Sequence, residues 1–324
     1  MKGLSKDSVT RLTLGEEVAG QRIDNFLVRL LKGVPKSHVY RILRSGEVRV
    51  NSGRAAPTRR LAAGDEIRIP PIRIAERPAV PSASARSLEP IPVLFEDGNI
   101  LAIDKPAGLA VHGGSGISHG VIERLRAERP AAKFLELVHR LDRETSGVLL
   151  LAKKRAALVN LHEQIRDGAT DKRYLALVKG AWDQDRITVN APLAKYVLEG
   201  GDRRVSVEAG GQPAKTALRR LALHDGCTLV EARLLTGRTH QIRVHLAHLG
   251  LPICGDDKYG DFAFNRLLAR RGLKRMFLHA ARFTFRHPDS GEPVTISADL
   301  PGELSRFLES LDTPADTAGG AEAS

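Results

Sequence analysis

His139-Arg140-Leu141-Asp142-Arg143-Glu144-Thr145-Ser146-Gly147 runs without a break into Val148-Leu149-Leu150-Leu151-Ala152. The second half is an apolar run of one strand's length, the pattern of a strand covered on both faces. Leu158, Leu161 and Ile165 mark a helix after it, and Phe134–Val138 reads as a strand before it. A polar segment this dense between two buried strands sets carboxylate and guanidinium groups at a sheet edge. A guanidinium beside a carboxylate favours the anion, and an ionised Asp can serve as nucleophile or general base. Taken alone, the segment also reads as a structural ion pair in a turn. Asp142 is the first candidate for chemistry.

Upstream, Phe95–Asp104 reads as two strands around an Asp97-Gly98-Asn99 turn, followed by a Lys105-Pro106-Ala107-Gly108 loop. Gly113-Gly114-Ser115-Gly116 lacks the Gly-Lys-Ser/Thr that a nucleotide-binding phosphate loop needs. Downstream, Lys172–Gly180 is a strand with Tyr174 at its polar start. In Gly237–His245, Ile242, Leu246 and Leu249 form the buried stripe of a short helix that Thr239 can cap. Arg243 then projects from the first turn beside His240, an anion site suited to a phosphate or to a carboxylate such as Asp142. His240 and His245 stand about 140° apart on a helix, so they share no face. No metal is expected there, and these histidines read as hydrogen-bonding or RNA-contacting groups.

At 324 residues the chain suggests two domains. With 42% apolar and 27% charged residues its composition is globular, and 1 Trp, 4 Tyr and 9 Phe imply an aliphatic core rather than a stacked aromatic platform. A net charge of +12 points to a polyanionic partner. The 2 cysteines, Cys227 and Cys254, form no CxxC pair. That excludes a disulfide scaffold and a thiolate zinc cluster and suits a reducing compartment. No apolar run approaches the roughly 18 residues that span a bilayer, and the start has no apolar signal core. A cytoplasmic protein without membrane contact is expected.

The charge is uneven: residues 1–90 hold 17 Lys/Arg against 9 Asp/Glu. There, Ile23, Phe26, Leu27, Leu30 and Leu31 fall at helical spacing. After Pro35, Ser37 can cap a second helix with Val39, Ile42 and Leu43 inward, ended by Gly46. Glu47–Asn51 alternates like a strand, Asn51-Ser52-Gly53 turns, and Asp65–Ile69 is another strand. Lys36, Arg41, Arg44, Arg49 and Arg54 fall on the exposed side. Residues 76–90 are Pro- and Ser-rich and read as a linker. Residues 311–324 lack Lys and Arg and read as a disordered tail.

The RIDNFL, PKSHVYRILRSGEVRVN and LAAGDEIRI segments, over residues 15–75, resemble the S4 RNA-binding domain. HRLDRETSGVLLLAKK, KRYLALVKG and GRTHQIRVHLAHLG, in that order, are similar to the RluA family of pseudouridine synthases, with DKPAGLAVHGGSG fitting the strand and loop ahead of them. The resemblance implies an α+β chain: an S4-type RNA-binding domain, then a catalytic domain over 91–310 built on a mixed, largely antiparallel sheet. It implies isomerisation of uridine, with N1–C1′ broken and C5–C1′ formed, needing neither metal nor nucleotide cofactor. On the family pattern Asp142 is the catalytic aspartate, attacking C1′ or taking the 2′ proton. Arg243 pairs with it, Tyr174 packs on the uracil where it could help remove the C5 proton, and Arg140 fills the stack when the target base is flipped out. Lys36, Arg41, Arg44, Arg49 and Arg54 become candidate RNA contacts. The implied partner is large-subunit ribosomal RNA or its assembly intermediates, and the expected species is a monomer.

Overall fold

The computed structural model describes residues 7–31, 34–72, 90–113, 120–199 and 201–312. The chain divides into two compact units, 1–90 and 91–324.

In the small unit, β1 (Thr10–Thr13), α1 (Ile23–Leu30), α2 (Lys36–Arg44), β2 (Arg49–Val50), β3 (Gly53–Arg54) and β4 (Glu66–Ile69) follow in order. The four strands pair as β1-β4-β2-β3. Ile23, Phe26 and Leu27 of α1 and Val39, Ile42 and Leu43 of α2 are buried against Val50, Ile67 and Ile69 of the sheet. Full burial of such side chains contributes about 1.5–3 kcal/mol each. Two local expectations fail here. Ser37 caps nothing, because α2 starts at Lys36 with Pro35 as the flanking residue, its restricted φ of −56° leading directly into the helix. And β1 lies before residue 15; four residues give too short an alternation to be read alone, but the strand pairs along its whole length with β4.

The large unit comprises β5 (Val93–Glu96), β6 (Ile100–Lys105), α3 (Val121–Glu128), β7 (Glu136–Leu137), β8 (Ser146–Ala152), α4 (Arg155–Arg166), β9 (Asp171–Lys179), β10 (Arg186–Asn190), β11 (Leu193–Val197), β12 (Arg203–Val207), β13 (Lys215–His224), β14 (Cys227–Leu234), α5 (Gln241–His248), α6 (Phe262–Arg270), β15 (Leu278–Arg286), β16 (Pro293–Ser297) and α7 (Gly302–Asp312). Its main sheet runs β10-β13-β14-β9-β15-β8-β6-β5, with β16 on β15 and β7 on β8, while β11 and β12 form a separate hairpin. Within this sheet the pairing of β15 with β8 is parallel and the others are antiparallel.

Every residue of β8 is buried because both its faces are covered. Leu149 and Leu151 join Leu101 and Ile103 of β6 and Leu125 of α3 on one side. Val148 and Leu150 join Leu158 and Leu161 of α4 and Phe283 of β15 on the other. Gly147, at the parallel junction, has φ +106°, and a Cβ there would stand 2.3 Å from the Ala280 carbonyl oxygen. Only glycine allows that approach. The Phe134–Val138 strand shrinks to two residues, because one edge of β8 is divided: β15 takes Ser146 and Gly147, and β7 takes Leu151 and Ala152. The expected tail begins too early at 311. Leu311 lies on the buried stripe of α7 with Leu304 and Phe307, and the helix ends at Asp312. Residues 313–324, Gly114–Gly116 of the glycine-rich segment and all of the 76–90 stretch but Pro90 lie outside the described residues.

Candidate active site

The loop between β7 and β8 is held from below by two buried nitrogen groups. His139 Nε2 accepts the Leu150 N–H at 3.1 Å, and its ring meets Phe283 edge-on. Burial, with Lys172 nearby, pushes His139 down to about 3, so the ring is neutral and acts as an acceptor. Lys105, at the end of β6, has no exposed surface and donates to the carbonyls of Pro106, Leu109 and Arg143 at 2.8, 2.9 and 3.0 Å. Three acceptors match the three N–H groups of an ammonium, although burial draws its pKa down to about 7. Gly108 and Arg143 close the join reciprocally: Arg143 Nε donates to the Gly108 carbonyl, and the Gly108 N–H to the Arg143 carbonyl. Two loops 35 residues apart thus become one rigid floor.

Asp142 stands on that floor with its side chain 25% exposed. Arg243 Nη1 donates to its Oδ2 at 3.2 Å, and His240 Nε2 lies 3.9 Å from its Oδ1. The expected juxtaposition of Asp142 and Arg243 is present. Its support is different from the expected one. Thr239 does not cap α5; His240 occupies the position in a left-handed conformation, φ +53°. Gln241 orders the turn instead, its Oε1 accepting from the Thr236 hydroxyl and the Arg238 N–H.

Arg243 is clamped mainly by a residue that the sequence reading missed. Its Nε and Nη2 donate to the two oxygens of Asp256, both at 2.7 Å. Asp256 is fully buried and also accepts the N–H groups of Lys258 and Tyr259. Burial alone would raise the Asp256 carboxyl, but Arg243 and these two N–H groups hold it below the ordinary carboxylate range. Tyr259 lies against the guanidinium at 5.1 Å, and its hydroxyl hydrogen-bonds His240 Nδ1 at 2.7 Å. The sequence signal was the polar, glycine-flanked run Gly255-Asp256-Asp257-Lys258-Tyr259-Gly260.

Asp142, Arg243, Tyr174, Arg140, His240 and Lys172 all line one cleft of about 490 Å³, within the size range of small-molecule sites. Tyr174 is 6% exposed, and burial, with Asp142 nearby, raises its phenol well above the ordinary range, keeping it neutral. Arg140 is exposed at the cleft. His245 turns away from it: its ring bonds the Ala191 carbonyl and the Thr216 hydroxyl and has no exposed surface. Among the described residues no cluster of His, Cys, Asp and Glu is arranged to hold a metal.

In the small unit Lys36, Arg41, Arg44, Arg49 and Arg54 are all exposed. Strand register adds two that sequence spacing conceals. Arg54 faces Arg49, Arg49 faces Arg68, and Arg68 faces Arg11, so four arginines form a row across β3-β2-β4-β1. Like charges directly opposite one another are destabilising, and Glu66, paired with Arg11 at 2.6 Å, offsets part of that repulsion.

A family described as RNA pseudouridylate synthase matches residues 99–248, and the S4 domain matches residues 21–67. The chain is 52% identical over 306 residues to the "Ribosomal large subunit pseudouridine synthase C" of Yersinia pestis, covering 94% of this chain and 96% of that one. To the protein of the same name from Escherichia coli (strain K12) it is 53% identical over 311 residues, covering 94% and 97%. Among solved structures, human RNA Pseudouridylate Synthase Domain Containing 1 superposes with a TM-score of 0.55 at 27% identity, covering 66% of this chain and 84% of that one.

Proposed function

The chain belongs to the RNA pseudouridylate synthases, and from that premise we propose that it converts uridines of large-subunit ribosomal RNA to pseudouridine with Asp142 as the essential carboxylate. The observation that carries this reading is the Asp142–Arg243 pair at 3.2 Å, in a cleft that Tyr174 also lines. Breaking N1–C1′ requires a group that either attacks C1′ or removes the 2′ proton, and a carboxylate held at one angle serves both routes. Arg243, immobilised by Asp256, gives Asp142 that angle. Tyr174 offers a ring face to the uracil and a neutral phenol near C5. Arg140, at the exposed side of the cleft, offers a guanidinium plane to the gap that a flipped base leaves. The bond energy is internal to the substrate, so the reading needs no cofactor.

The S4 domain makes RNA the partner, and the arginine row supports a backbone-charge contact there. One chain supplies every group named, which supports a monomer acting alone. Two free thiols support a reducing, cytoplasmic setting. Among the described residues no helix is long and apolar enough to cross a membrane.

Tritium release from C5-labelled uridine in transcribed ribosomal RNA tests the activity. Asp142→Asn keeps the size but can neither attack nor accept a proton as a carboxylate does. It should abolish release and leave RNA affinity within a few fold. Residual turnover near one tenth of wild type would remove Asp142 from the role.

A further inference from the structure

Lys172 is the second residue of β9 and lies two residues before Tyr174, so the pleat turns both side chains to one face. Both are buried and both line the cleft. Its Nζ lies beside Gly237, 3.7 Å from where a Cβ on that glycine would stand. Among the described residues no carboxylate or carbonyl takes a hydrogen bond from it. Burial lowers its pKa, and nothing acidic offsets that effect. Every other buried cation around the cleft is satisfied: Lys105 by three carbonyls, and Arg243 by Asp256 and Asp142. The Lys172 stem is buried while its Nζ opens to the cleft. An ammonium that faces a reaction cleft with no protein acceptor among the described residues points to an anion that forms there.

We propose that Lys172 is a catalytic residue that stabilises the uracil anion released when the N1–C1′ bond breaks. The inference rests on the isomerisation read above. Heterolysis sends the bonding pair to N1, and resonance spreads the negative charge over O2 and O4. The charge left at C1′ is met by the Asp142 carboxylate or by loss of the 2′ proton. After the base turns, C5 bonds to C1′ as the bond from Asp142 to C1′ breaks or the 2′ proton returns; C5 then gives up its proton and N1 gains one, so the composition is unchanged. The anion exists only between these steps, beside the ring face of Tyr174, and an ammonium on that face meets its carbonyl oxygens. His139, the group nearest in charge effect, is neutral and does not compete. The chief rival is a backbone phosphate of the bound RNA as the partner.

The test uses full-length protein and compares single-turnover tritium release with RNA affinity and its salt dependence. Lys172→Met, which keeps the apolar stem, should slow release on the order of 100-fold, the usual loss for one electrostatic donor. RNA affinity and its salt slope should not change, which also shows that the variant folds. Lys172→Arg should recover most of the rate, and Lys172→Gln should behave like Met through an independent packing. With 5-fluorouridine at the target, the electron-withdrawing fluorine already stabilises the anion. The deficit of Lys172→Met, read as disappearance of 5-fluorouridine from nuclease digests, should therefore shrink. An unchanged rate overturns the proposal. So does a salt slope lower by about 0.7–0.9 with the rate intact, which would make Lys172 a phosphate contact. Should wild type release no tritium, the isomerase reading itself fails, and that outcome is separate.

Discussion

Asp142 and Arg243 are 101 positions apart in the chain and 3.2 Å apart in the cleft, yet Arg243 spends two of its three nitrogens on Asp256. The clamp leaves Nη1 as the donor for Asp142 and fixes its direction. In Asp256→Asn one acceptor becomes a donor, and a buried guanidinium loses its strongest counter-charge. Single-turnover release should fall at least about tenfold, with stability down by about 3–5 kcal/mol, the usual cost of breaking a buried pair. RNA affinity should stay within a few fold. Full activity in the folded variant would show that Asp142 needs no such positioning. Arg140 lies at the other extreme, exposed and making no hydrogen bond to Asp142. If it fills the gap left by a flipped base, Arg140→Ala should harm a paired or stacked target far more than a short unstructured one. The cost of unstacking, a few kcal/mol, is absent in the latter. Equal losses on both RNAs would rule the flipping role out.

At the scale of elements, the β7–β8 loop is positioned both by its own flanking strand β8 and by β6, distant in the chain. His139 takes a backbone N–H from β8, and Lys105 at the end of β6 gathers three carbonyls. His139 couples this arrangement to pH. Its folded pKa, about 3, lies below its ordinary 6.5, so below 6.5 the unfolded chain binds a proton that the folded chain refuses. Stability should therefore fall as pH drops from 6.5 towards 3, with about 2 kcal/mol gone by pH 5. His139→Gln retains an acceptor but does not titrate. Denaturant unfolding at pH 7 and pH 5 should show a smaller difference for this variant than for wild type. An identical difference would mean that the imidazole is not the titrating group.

For the whole molecule, charge is divided unevenly between the two units. The small unit carries most of the excess, and its register aligns Arg54, Arg49, Arg68 and Arg11 in a row. Removing residues 1–78 should weaken ribosomal RNA binding and lower the log–log salt slope by roughly 3, since each lost phosphate contact removes about 0.7–0.9. A salt titration that gives an unchanged slope would place the electrostatic anchor in the large unit.

Local pattern determined what local physics controls. The apolar run of β8 was legible because both its faces are covered, and the two helices of the small unit because burial on one face imposes a period on the sequence. The expected stripe of α5 is absent, since Gln241 to Leu246 are all buried and Leu249 lies beyond its end. That Asp142, Tyr174 and Arg243 meet in one cleft was legible through the motifs that contain them. The register that lines up Arg11 and Arg68 was not legible, since strand pairing joins residues far apart in the chain. Neither was the role of Asp256. It reaches Arg243 only after Gly255, at φ +77°, turns the chain against the backbone of Arg275, where a Cβ would stand 2.3 Å from a carbonyl oxygen. The unpartnered ammonium of Lys172 was equally hidden. Being alone is a property of the surroundings, and those are set by β9, Gly237 and the cleft together. Sequence determined which residues carry charge and which strands are buried; the tertiary structure decided which charges meet, because the distances between them are fixed by packing rather than by position along the chain.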